Sequence, residues 1–312
     1  MTRDHLLTLL TLNRREFITK TSMLAATVTL WPGYPLAAGL LPRRPIPGTG
    51  ENLPVIGLGS TKAVMQLATE GTAGLEAVLQ SLLDAGGSVI DTWSRDPALD
   101  ALAGEVFRKN NRLGSLFLAT KVDTEGVEAG RAMIDANERN FGKAADLIQV
   151  FSMRDIGNQW PLLREMKDQG RTRYIGVTVA SESAHGDMLQ FMQKEHPDFI
   201  QINYSLAESN AEREVLPYAR DNGIAVIINR PFMNGDYFPK VQGHALPDWA
   251  AEFDCASWAQ FALKFILANP AVTCVLTETT KPEHLKDNLA AAEGRLPDAP
   301  ARLRMQEEIR SL

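Results

Sequence analysis

The chain has little cysteine, histidine or tyrosine, little positive charge, and no apolar run that would span a bilayer. Two cysteines in 312 residues, Cys255 and Cys274, are too few for a disulfide framework or a thiolate metal centre. Both are expected as buried, unpaired thiols. The five histidines (His5, His185, His196, His244, His284) follow no metal-ligand spacing, so no tightly bound metal is expected. The mild apolar stretch Met23 to Trp31 falls far short of the roughly 20 residues that a spanning helix needs, and no stable membrane span is expected. The net charge is −6, and removing residues 1–38 takes away four positive and two negative side chains, leaving −8. Phosphate backbones need a positive field, so an acidic body argues against nucleic acid as a partner.

What is present begins with a segment to be set apart from the fold. Asn13-Arg14-Arg15-Glu16-Phe17-Ile18-Thr19-Lys20 precedes the Thr-diluted apolar stretch, which ends in Pro32-Gly33 and then Ala37-Ala38. A basic segment, a short apolar core and a small-residue exit describe a secretory signal. The paired arginines followed by Phe17 resemble the twin-arginine translocation signal, which implies export of a folded protein, contact with the export machinery and a periplasmic or other extracytoplasmic location. Residues 1–38 are read as that signal. Residues 39–52, with Pro42, Arg43, Arg44, Pro45, Pro47, Gly48 and Gly50, are read as a linker.

From Leu53 the chain keeps one rhythm. Eight short apolar, β-branched runs are expected as strands: Val55–Gly59, Ser88–Thr92, Leu116–Val122, Leu147–Met153, Tyr174–Val179, Phe199–Ser205, Ala225–Pro231 and Val272–Glu278. Stretches of helical period separate them, including Ala73–Ala85, Ala98–Lys109, Val127–Phe141, Glu182–Lys194, Glu212–Asn222 and Ser257–Ala268. Near-continuous apolar strands suit a parallel sheet buried on both faces. Eight βα units over residues 53–312 fit a closed (β/α)8 TIM barrel, whose active sites lie at the C-terminal strand ends. One long insertion, Phe232 to Asp254, carries Tyr237, Phe238, His244 and Trp249 and is expected as a lid or specificity loop.

Several segments in order then resemble the aldo/keto reductase family over nearly the whole body. They are Asp91-Thr92 with Gly104, Ala119-Thr120-Lys121, Tyr174-Ile175-Gly176-Val177, Gln201-Ile202-Asn203-Tyr204, Asn229-Arg230-Pro231-Phe232, and Lys281-Pro282-Glu283-His284 with Asn288. The resemblance implies an NADP(H)-dependent oxidoreductase acting on small carbonyl compounds. It assigns Asp91 and Lys121 to the catalytic group. Thr178, Gln201, Asn229, Arg230, Thr279, Lys281, His284 and Asn288 fall to the cofactor. Read without the family, Lys281 is equally a solvated helix-start charge, Gln201 a satisfied polar group of the barrel, and Asp91 with Lys121 a structural ion pair.

The family's proton donor is a tyrosine acidified by the lysine, and a histidine orients the carbonyl. Here Asp96 occupies the tyrosine position and Phe151 the histidine position. No tyrosine lies between Tyr34 and Tyr174, and no histidine between His5 and His185, so realignment restores neither. Aspartate is shorter than a phenol, and an ionised carboxylate near Lys121 cannot donate a proton. Losing general acid help costs typically about 10²–10⁴ in rate. The cofactor end drifts as well. Thr178-Val179 stands where the commoner pattern has Ser-Asn, and Glu278 adds negative charge near the phosphates. Two expectations follow: altered or weak activity, with Tyr204, Tyr237 or His244 as substitute acid, or a pseudoenzyme that binds a ligand or partner without turnover.

Overall fold

Runs such as Ala225-Val226-Ile227-Ile228 place branched side chains on alternate faces of an extended chain, and both faces must then be covered. The computed structural model, which describes residues 40–93 and 96–312, shows how they are covered. The strands in chain order are β1 (Arg43–Pro45), β2 (Asn52–Pro54), β3 (Ile56–Gly59), β4 (Val89–Asp91), β5 (Phe117–Val122), β6 (Leu147–Phe151), β7 (Tyr174–Thr178), β8 (Phe199–Asn203), β9 (Ala225–Asn229) and β10 (Cys274–Glu278). Strands β3 to β10 close a parallel barrel in sequential order, with β10 pairing both β9 and β3. All eight expected strands are present, and the barrel is a (β/α)8 fold. The proposed export signal lies outside the described residues.

Two apolar clusters follow from the period of two. Outward-facing strand residues such as Ile90, Leu118, Ile148, Val177, Ile202 and Val226 pack under the helices. Inward-facing residues Val89, Phe117, Ala119, Leu147, Tyr174, Phe199, Ala225, Ile227, Cys274 and Leu276 fill the barrel. The same inward parity carried toward the C-terminal ends gives Asp91, Lys121, Gln149, Phe151, Thr178, Gln201, Asn203 and Asn229. The barrel interior is therefore apolar at its N-terminal end and polar at its C-terminal end. Helix Pro97–Arg108 packs closely on helix Val127–Phe141 at Gly104, where a Cβ would stand 1.9 Å from the Asn140 carbonyl oxygen.

Within the expected 39–52 linker, residues 40–52 do not behave as one. β1 and β2 form an antiparallel hairpin, with Gly48 and Gly50 at positive φ in its turn. Ile46 and Leu53 join the inward cluster beside Phe117, Tyr174 and Phe199, closing the N-terminal end of the barrel. Tyr174 donates a hydrogen bond to Glu51 at 2.7 Å, and the Arg44 guanidinium donates to the carbonyls of Asn269, Val272 and Leu267 at the far end of helix Trp258–Leu267. The long insertion is ordered: helix Tyr237–Val241 and the 3-10 turn Asp248–Phe253 bury Tyr237 and Phe253, and Trp249 packs edge-on against Phe261.

Candidate active site

The polar end of the barrel is one connected network. Lys121 donates to Asp91 Oδ2. Gln149 and Gln201 donate to Asp91 Oδ1 at 3.2 and 3.3 Å, and Gln201 also donates to Gln149 at 3.3 Å. Thr178 donates to Gln201 Oε1 at 3.3 Å. Asp91 is 4% exposed and Lys121 5%, so each charge relies on the other and on these amides for the solvation it has lost. Gln149 was not singled out from the sequence. Its signal was a polar residue at inward parity in the apolar run Leu-Ile-Gln-Val.

Asn229 extends the network to the next strand. Its Nδ2 donates to the Val179 carbonyl at 3.0 Å and lies near Gln201 Oε1 and Thr178 Oγ1 at 3.4 and 3.5 Å. Because a carbonyl can only accept, the amide orientation is fixed, and Oδ1 faces the other way. That oxygen is shielded from solvent and has no partner among the described residues. Such an acceptor suits the N–H of a ligand amide. Arg230, in the left-handed region at φ 51°, donates to the Ala180 carbonyl and lies 4.0 Å from Glu208.

The remaining cofactor candidates sit after β10. Thr279 accepts from the Lys281 backbone N–H at 3.1 Å, and Lys281 is the N-cap of helix Pro282–Ala290. Lys281 and His284 are exposed and Asn288 is buried in that helix. A cation at a helix N-terminus favours an anion. Glu278 lies at the same end, where its carboxylate accepts from the Lys62 backbone N–H. The residues fit a ligand with an amide at one end and an anion at the other, as a nicotinamide dinucleotide has.

The two substituted positions are filled by other work. Asp96 is the exposed N-cap of helix Pro97–Arg108 and accepts from Ala98 N–H at 2.8 Å. Phe151 stacks on Trp93, with centroids 4.3 Å apart and planes 13° from parallel. Tyr204 follows Asn203 and so points outward, where its hydroxyl donates to Glu212 and accepts from Arg302. Tyr237 donates to the Trp258 carbonyl at 3.1 Å. Burial pushes both phenols well above the ordinary tyrosine range, which makes them poorer acids. His244 is exposed on the insertion, where its backbone carbonyl accepts from Trp258. Both tyrosine hydroxyls are thus engaged with groups outside the Asp91–Lys121 network. Among the described residues, no group of three or more His, Cys, Asp or Glu could hold a metal, and no helix is long and apolar enough to cross a membrane.

Comparison with known proteins agrees with this geometry. The sequence profile of the Aldo/keto reductase family matches residues 56–302. The NADH-specific methylglyoxal reductase of Escherichia coli (strain K12) is 30% identical over 177 residues, covering 48% of this chain and 53% of that protein, so the match spans about half of its length. An aldo-keto reductase from Bacillus halodurans in its holo form superposes with a TM-score of 0.68 at 17% identity, covering 86% of this chain and 96% of that one. An aldo/keto reductase from Klebsiella pneumoniae in complex with NADP and acetate gives 0.66 at 19% identity, covering 84% and 94%.

Proposed function

The chain belongs to the aldo/keto reductase family, and from that premise we propose that it is an exported, NADP(H)-binding oxidoreductase of altered chemistry, with weak activity on small carbonyl compounds. One observation carries the reading. The inward layer keeps Asp91, Lys121, Gln201 and Asn229 in one network, while position 96 caps a helix and position 151 is a stacked phenylalanine. NADPH, when bound, supplies a hydride. Asn229 and Gln201 would hold its amide end, and Lys281 with the helix N-terminus would hold a phosphate. Lys121 would stabilise negative charge developing on the carbonyl oxygen, and that oxygen would take its proton from water rather than from a phenol. Without that acid the step slows by about 10²–10⁴.

A second reading, a pseudoenzyme that binds a ligand or partner without turnover, is favoured by the engagement of Tyr204 and Tyr237 away from the mouth. Asp96→Tyr combined with Phe151→His separates the two. Recovered NADPH oxidation on a panel of small aldehydes means that the barrel lost only its proton-handling pair. A folded double variant that stays inert favours the pseudoenzyme. Export rests on the segment Asn13–Lys20 and places the activity outside the cytoplasm.

A further inference from the structure

Strand β5 lies between β4 and β6. A ring that leaves the end of β4 and stacks on the last residue of β6 must therefore cross the end of β5. Register places the pieces: Asp91 pairs with Ala119, and Lys121 pairs with Gln149. Trp93, two residues past Asp91, is thus level with Lys121. Phe151 stands two residues above that level, roughly 6.6 Å along the strand direction. Phe151 has inward parity on β6, and Trp93 continues the alternation of Val89 and Asp91 past the end of β4, where Thr92 N–H still donates to Ala119. The near-parallel stack, at 4.3 Å between centroids, is therefore set at the C-terminal end of the barrel, above the level of the Asp91–Lys121 pair.

We infer that Trp93 is a built-in occupant of the substrate end of the mouth, filling the subsite on the face of Phe151 that a planar aromatic ligand would take. The inference rests on the mouth being the functional site, and not on which cofactor it binds. Thr92 N–H donates to Ala119 at 2.9 Å, and Asp96 caps the next helix. The stack on Phe151 is one of the contacts that hold the indole in place. A flat aromatic compound that gains more from Phe151 and the polar layer displaces the indole, since a ligand shifts an equilibrium by its differential affinity. A small aliphatic carbonyl has no ring face to trade, so the substrate class favoured at this subsite is aromatic.

Indole tests this directly. Full-length Trp93→Ala should bind indole saturably, at least tenfold more tightly than the parent by calorimetry. Adding Phe151→Leu should remove that gain. In the same variant an amine-reactive reagent should label Lys121, identified by peptide mass spectrometry, whereas the parent is protected. Trp93→Leu, which keeps bulk without a ring, serves if the alanine variant does not fold. Equal indole binding by parent and folded variant, or a gain that survives Phe151→Leu, would overturn the assignment. Failure of the parent to bind NADPH would overturn the functional reading and leave this result standing.

Discussion

Asp91 receives hydrogen bonds from Lys121, Gln149 and Gln201 and is almost cut off from water. Removing it strands a buried ammonium. Asp91→Ala should therefore lower stability by about 3–5 kcal/mol in urea unfolding, whereas replacing both Asp91 and Lys121 with apolar residues should cost much less. A cost below 1 kcal/mol for the single change would mean that water reaches the pair. Much of this layer was legible, because Asp91-Thr92 and Ala119-Thr120-Lys121 stand in order at strand ends. The job of Asp96 was legible too, since an Asp before a Pro at a helix start is a capping signal. The Trp93–Phe151 stack was not legible, since it depends on the register of the strand between them.

At the scale of elements, the hairpin was hidden by its own composition. Its prolines and glycines look like linker punctuation, and Ile46 and Leu53 are too few apolar residues to show a period. In the fold they close the barrel end. Leu53→Ala should cost about 2–5 kcal/mol by thermal or urea unfolding; a value near zero would show that the hairpin merely rests on the surface. Next to inward Asn203, Tyr204 has outward parity, which a motif does not reveal. The turn that ends the insertion carries a pH-dependent contact. Arg295 holds Asp254 at about 2, below the ordinary carboxylate value of 3.8. Its contribution is present above that ordinary value and is lost as pH falls through about 2. Asp254→Asn should accordingly have a shallower loss of melting temperature than the parent between those values, and an identical acid limb would show the pair to be idle.

For the whole molecule, the eight-fold rhythm made the barrel readable, because each unit must bury both faces of a strand and one stripe of a helix. The rhythm leaves the direction of chemistry open; the apolar-to-polar change along the interior supplies it, pointing to the end where β4 through β9 finish. The proposed export concerns the chain as a whole: Arg14→Lys with Arg15→Lys should leave the precursor in the cytoplasm, and unchanged appearance outside it would remove the twin-arginine assignment. The central claim is that the cofactor end survived while the proton-handling pair did not. It is tested most directly by equilibrium titration of the purified protein with NADPH and NADH, followed by fluorescence. Saturable binding at micromolar concentration, weakened at least tenfold by Asn229→Ala, is the result predicted here. Absence of binding up to millimolar concentration would contradict it and leave a barrel that recognises some other ligand.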